Sequence, residues 1–376
     1  MFRVRFHYIT LLILLCLGFE LDAQNAEHWA NIYSSSLSGF MGKVLAHSDT
    51  LKPLTNGIVK GFRFSVSQKA NGGKAWHNRH GMPYVGIALT GIDLGNKRVL
   101  GNAWGIQPFI SYQLLQFKNF SVRTDFGLGL AYITRKYSPA HNPTNVAIST
   151  SINYWATANL TSTFKFSNRF NLTAGIESNH FSNGAIKKPN YGLNIVGFSF
   201  GFTYTPERDK IDNCKKDVNL ENSDGKSQLG IVILAGIKET GPAGGEKYYP
   251  FSISIEYLMP LAQSYPLMAG LDIMFDKSAR FHIELSGMHY SPVNDDFQVG
   301  IKTGLLIPFN RLSLHGHFGW YLYNKNPRLP LYYQKLGIRY RLSRTSQVLL
   351  ELKTHLNTAD HVGVGYIFTL YTNSSI

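Results

Sequence analysis

Two cysteines, Cys16 and Cys214, are all that the 376-residue chain carries. Cys16 lies in an opening segment expected to be removed, so Cys214 would stand alone and no intrachain disulfide framework is possible. Acidic residues are scarce as well. There are 23 Asp and Glu against 37 Lys and Arg, giving a formal net charge of +14 and a pI near 9.6. In an exported protein that excess points to anionic lipid or polysaccharide rather than nucleic acid, although a simply basic protein accounts for it equally well. Beyond the opening segment there is no apolar run of the about 20 residues that a spanning helix needs. Yet 44% of the residues are hydrophobic, with 24 Phe, 21 Tyr and 35 Gly. The apolar residues must therefore be dispersed rather than massed.

The opening segment reads MFRVRFHYITLLILLCLGFELDAQNA. Arg3 and Arg5 form a basic start, Ile9 to Phe19 an apolar run, and Leu21-Asp22-Ala23 a cleavage site. This is the layout of a secretory signal peptide over residues 1–23, too short to span a membrane. Leu15 ahead of Cys16 is a poor fit to a lipoprotein site, so the signal is read as cleaved and non-lipidated.

Dispersal takes the form of period-two alternation. In FSVRTDFGLGLAY, residues 120–132, Phe120, Val122, Phe126, Leu128, Leu130 and Tyr132 share one face. Ser121, Arg123, Asp125, Gly127, Gly129 and Ala131 take the other. Residues 148–164 alternate likewise. Soluble sandwich strands average about five or six residues, and these segments run longer. Spanning strands need about 9–11, so the expected fold is all-β, a transmembrane antiparallel β-barrel.

About sixteen such segments can be counted, half of them in residues 38–206 and half in 230–371. Very short turns fall near Lys118-Asn119, Ser167-Asn168 and Asn310-Arg311, the periplasmic side if the N-terminus is periplasmic. Longer loops near residues 135–146, 183–191 and 324–330 then lie outside. ARFHIELSG, residues 279–287, is read as a loop excursion, since counting it as a strand would make the total odd. The chain divides into a barrel region at 24–206, a charged linker or periplasmic loop at 207–228 and a C-terminal barrel region at 229–376. Either one barrel of about sixteen strands or two eight-stranded barrels in tandem satisfies this pattern. His315, His317, Lys335, Arg339, Arg341, Glu351 and Lys353 crowd the C-terminal polar face. So many basic groups need a wet lumen or a charge network, which tilts the reading towards one wide barrel.

Within the first region the stretch IESNHFSNGAIKKPNYGLN, residues 176–194, stands out. Parity puts Leu172, Ala174, Ile176, Ser178, His180 and Ser182 on one face, and Thr173, Gly175, Glu177 and Asn179 on the other. The following strand carries Asn194 on the face of Val196, Phe198, Phe200, Phe202 and Tyr204. His180, Ser182 and Asn194 should thus share the lipid-facing wall. Two residues along a strand rise about 6.6 Å, close enough for an imidazole to lean onto a hydroxyl. A polar strand tip lodged among head groups also accounts for such a pair, because the cost of polar groups falls near the interface.

The run from His180 to Asn194, with His180, Ser182, Asn183 and the turn Pro189-Asn190-Tyr191-Gly192, resembles the signature hairpin of outer-membrane lipid A 3-O-deacylases. That resemblance implies an eight-stranded barrel that hydrolyses the 3-O-linked acyl ester of lipid A. It implies Ser182 as nucleophile and His180 as general base. Asn183, through its side-chain amide, and the backbone N–H of Gly184 would hold the oxyanion. Where the family has a glutamate this chain has Asn194, which could accept from His180 but brings no charge. No Asp or Glu lies between Ser182 and Pro206 to replace it. Lys187 and Lys188 could meet lipid A phosphates, or be solvated loop lysines.

No cofactor or metal is implied. The expected partners are lipid A or lipopolysaccharide in the outer leaflet of the bacterial outer membrane, with no nucleic acid. Minor candidates are His77 and His80, which have loose metal spacing, Asn294-Asp295-Asp296 as a calcium loop or turn, and the group His355, Asp360 and His361, which has no serine beside it. The resulting expectation is an outer-membrane esterase. A non-catalytic barrel, either a pore or a lipopolysaccharide-binding protein, is the alternative.

Overall fold

A computed structural model of the chain describes residues 33–206, 227–261, 265–356 and 358–371. The expected signal peptide and nearly all of the 207–228 linker lie outside these residues. Alternation long enough to span a bilayer becomes strand throughout, and the chain divides into two compact units.

The first unit contains β1 (Ser34–Leu45), β2 (Val59–Lys69), β3 (Tyr84–Asp93), β4 (Asn102–Gln116), β5 (Phe120–Ile133), β6 (Ile152–Lys165), β7 (Phe170–Ser182) and β8 (Leu193–Tyr204). Each pairs antiparallel with the next, and β1 pairs with β8 from Ser35↔Tyr204 to Leu45↔Asn194, so the sheet closes as an eight-stranded barrel. Closure leaves no edge strand with unsatisfied backbone groups in lipid. The outer face follows parity: Phe126, Leu128, Ile176, Phe198, Phe200 and Phe202 are exposed on it. Inside, the barrel is layered. Towards the ends where β1, β5 and β7 finish, an apolar plug forms from Phe40, Val44, Ile133, Trp155, Phe181 and Leu193. Towards the short turns the interior is a polar vestibule lined by Ser36, Arg63, Ser65, Arg123, Asp125 and Thr161 among others.

The second unit contains β9 (Gln228–Glu239), a two-residue β10 (Lys247–Tyr248), β11 (Phe251–Met259), β12 (Leu267–Phe275), β13 (Phe297–Phe309), β14 (Leu312–Tyr323), β15 (Tyr332–Arg341), β16 (Ser346–His355) and β17 (Thr358–Tyr371). β17 pairs back onto β9, from Val362↔Ile237 to Tyr371↔Gln228, which closes a second barrel of eight long strands. The single wide barrel favoured by the basic inner face is therefore incorrect. An eight-stranded barrel is just wide enough for side chains to fill, and here ion pairs fill it. Lys302 Nζ lies 2.6 Å from Glu256 and 2.9 Å from Asp272. Lys335 Nζ lies 3.0 Å from Asp272, and Arg339 lies 2.9 Å from Glu256. The charge network, rather than the wet lumen, is what these groups use. The segment 279–287 is not a strand: it carries a short helix, Ala279–Leu285, in the β12–β13 connection.

Candidate active site

The hairpin β7–β8 pairs His180 directly with Asn194, while β6 sets Tyr154 opposite Ser182. His180 is exposed on the outer face, and Ser182 and Asn194 are half-buried there. His180 Nδ1 lies 2.6 Å from Asn194 Oδ1. A carbonyl oxygen only accepts, so Nδ1 carries the hydrogen and Nε2 keeps its lone pair. That is the tautomer a general base needs. At its other end the Asn194 amide donates through Nδ2 to His47 Nδ1 at 3.1 Å.

The loop 183–192 supplies a second oriented asparagine. Asn190 Nδ2 donates to Ser182 Oγ at 2.9 Å, and Asn190 Oδ1 accepts the backbone N–H of Asn183 at 3.2 Å. Pinning the oxygen end turns the amide's donor end towards the serine. Asn183 itself is buried and its Nδ2 donates to Ser149 Oγ at 3.0 Å, tying the loop to the β5–β6 connection. Two backbone bonds reinforce that tie: Gly192 N–H donates to Ala147 at 3.0 Å and Tyr191 N–H to Val146 at 3.3 Å. Gly192 has φ +75°, and a Cβ there would stand 3.1 Å from the Phe181 carbonyl and 3.2 Å from His180 Cε1. The glycine that ends the Pro-Asn-x-Gly turn thus serves both the turn and the close approach of the imidazole. Gly184 also has positive φ, +65°.

Between the two outward side chains, Phe181 points inward. It is 1% exposed and stacks on Trp155 with ring centroids 5.9 Å apart. Trp155 in turn donates through Nε1 to Asn179 Oδ1 at 2.9 Å. The packed plug therefore fixes the pleat that aims His180 and Ser182 outward.

Sequence reasoning brought His180, Ser182 and Asn194 to one wall; His180 and Asn194 are in contact there, and Ser182 lies two residues further along β7 on the same face. It missed the amide donor beside the serine, Asn190, and the partner of Asn194, His47. Asn190 stood in the Pro-Asn-x-Gly turn as a turn residue, and His47 lies beyond β1 with no pattern to mark it. Lys187 and Lys188 are half-buried in the same loop, and burial lowers the Lys188 ammonium pKa. Glu177 is buried inside the barrel, as parity requires.

The minor candidates fall elsewhere. His77 and His80 sit in the β2–β3 connection, at the opposite end of the barrel from loop 183–192. Burial, then the Lys74 ammonium, lowers the His77 pKa. His80 Nδ1 lies 3.1 Å from the Tyr112 hydroxyl. Asp295 accepts the Ser291 N–H at 2.6 Å and Asp296 the Tyr290 hydroxyl at 2.8 Å, which is turn chemistry. His361 Nδ1 lies 3.0 Å from Asp360, while Tyr321 OH lies 2.9 Å from His355 Nε2. The ligand atoms of His315, His317 and Glu351 lie within 4.8 Å of one another inside the second barrel. Lys302, Lys335 and Arg339 already balance Glu256, Asp272 and Glu351 there, so a dication would leave buried charge uncompensated.

Two family models match this chain. The model described as lipid A 3-O-deacylase (PagL) matches residues 60–203. That described as acyloxyacyl hydrolase, C-terminal domain, matches residues 227–372. The chain belongs to the lipid A 3-O-deacylase family. Membership brings ester hydrolysis of lipid A and a place in the bacterial outer membrane. The second match covers the second barrel, so the family reaches well beyond the hairpin that first suggested it. Among solved structures, neisserial surface protein A is similar at 12% identity over 46% of this chain and 97% of that one, with a TM-score of 0.32. The outer membrane enzyme PagL is similar at 15% identity over 44% and 97%, with a TM-score of 0.30. A search of curated protein sequences finds no match.

Proposed function

We propose that the first barrel removes the 3-O-linked acyl chain of lipid A by a Ser-His mechanism in which Asn194 holds the place of the acid. The observation that carries this is the 2.6 Å contact of His180 Nδ1 with Asn194 Oδ1, which leaves Nε2 as the acceptor for a proton. Ser182 Oγ bonds to the acyl carbonyl carbon as His180 Nε2 takes its proton. Asn190 Nδ2, 2.9 Å from Oγ, would turn to the acyl oxygen as it becomes negative, with the backbone N–H of Gly184 as the second donor of this reading. Asn183 supports this hole from behind, through the N–H that orients Asn190. The carbon–oxygen bond to the sugar then breaks, and His180 returns the proton to the sugar oxygen. Water attacks the acyl-serine with His180 again as base, freeing the fatty acid and Ser182.

The site's position suits a lipid substrate. Below the pair His180↔Asn194, the next outward pair down the wall is Ser178↔Val196 and the one after it Ile176↔Phe198. Ile176 and Phe198 are 47% and 73% exposed, an apolar track along which an acyl chain can lie without leaving the bilayer. Lys187 and Lys188, in the loop above, would meet the phosphates.

A fluorophosphonate with a fatty chain tests the nucleophile. Peptide mass spectrometry should find the label on Ser182 in the wild type and little in His180→Ala. Labelling at another serine, or equal labelling of both proteins, would overturn the assignment.

A further inference from the structure

An asparagine in the place of an acid has a defect that a carboxylate does not share. Both carboxylate oxygens accept, so a glutamate serves His180 whichever way it turns. A carboxamide serves it only when Oδ1 faces the imidazole. Turned over, Nδ2 would face Nδ1, and the imidazole would have to carry its hydrogen on Nε2, the atom that must accept the serine proton.

In this chain the far end of the amide is held. Asn194 Nδ2 donates to His47 Nδ1 at 3.1 Å, which requires His47 to carry its own hydrogen on Nε2, while Oδ1 faces His180 at 2.6 Å. His47 lies two residues beyond β1, and β1 closes the barrel against β8 with Leu45 opposite Asn194. The three side chains therefore come from β7, β8 and the end of β1, and the seam that closes the barrel brings the third to the other two.

We propose that His47 is a positioning residue that fixes the amide of Asn194 and, through it, the Nδ1–H tautomer of His180, which lets a neutral asparagine do the orienting work of an acid. The inference rests on the Ser-His reading, and its test separates the two. Neutral hydrogen bonds of this kind contribute about a tenfold preference at most, and a wrong tautomer has cost about 10⁴ in rate. His47→Ala should lower kcat several-fold, at most about tenfold, with KM within about twofold. In an Asn194→Glu background, where either oxygen accepts, the loss from His47→Ala should shrink to about twofold. Equal losses in both backgrounds, or no loss with Asn194 present, would overturn the proposal. A second readout needs no turnover. Ring ¹⁵N shifts of His180, assigned by difference against His180→Gln in detergent micelles, should report Nδ1–H in the wild type and a mixture with Nε2–H in His47→Ala. An unchanged Nδ1–H form in His47→Ala would refute the role of His47. An inactive wild type with the expected tautomer change would refute the Ser-His reading and leave His47 standing.

Discussion

Replacing Asn194 by glutamate should make the enzyme faster. In the native site a neutral amide oxygen accepts from His180 at 2.6 Å, which holds the tautomer but does little for the imidazolium formed when Ser182 gives up its proton. A hydrogen bond between neutral groups contributes about 0.5–1.5 kcal/mol, one to a charged group about 1.5–3 kcal/mol. Only the stretch between ground state and transition state counts towards kcat, so the gain from a carboxylate is about 1–1.5 kcal/mol, or about five- to tenfold. Desolvation takes back little, because residue 194 is half-buried at the mouth of the barrel rather than at the membrane centre. Two local costs reduce the gain. The extra methylene must fold back, since Asn194 Oδ1 is already at close range, and the donor to His47 is lost. The net expectation is about fivefold in kcat with KM unchanged. Initial rates of fatty acid release from lipid A by purified protein in mixed micelles would measure it. A lower or unchanged rate would show that the carboxamide is built into this site and refute the charge argument.

Asn190→Ala removes the donor beside Ser182 and should lower kcat by about 10²–10³ in the same micelle assay, without loss of the folded, heat-modifiable band on a gel. Gly192→Ala places a methyl 3.2 Å from His180 Cε1 on a backbone at φ +75°. It should displace the imidazole and cut kcat at least about tenfold, while an alanine at exposed Gly244, where a Cβ meets nothing within 4 Å, is the positive-φ control. The ion-paired interior of the second barrel and the apolar plug of the first should leave the protein silent in planar bilayers. Steady single-channel steps would favour the pore reading instead.

Alternation made the strands and the outer wall legible, because side-chain direction in a sheet follows from position alone. It put His180, Ser182 and Asn194 on one wall, and the register pairs the first with the last across the hairpin. Which strands close on which was not legible. A strand alternates in the same way whether β8 pairs with β1 or passes on to β9, so one barrel and two read alike. The basic residues of the second half misled because their partners were not weighed with them: Glu256 and Asp272 face the same interior as Lys302 and Arg339. Asn190 and His47 escaped for another reason. They act from loops, where no period marks direction, and their roles depend on what holds the far end of a carboxamide.

The central claim is that Ser182 performs turnover of lipid A. Mass spectrometry of lipid A from cells expressing the wild type and Ser182→Ala tests it most directly. The wild type should produce lipid A lighter by one ester-linked hydroxyacyl chain at the 3 position, and Ser182→Ala, folded and in the outer membrane, should not. Intact lipid A in both, or equal loss in both, would contradict it.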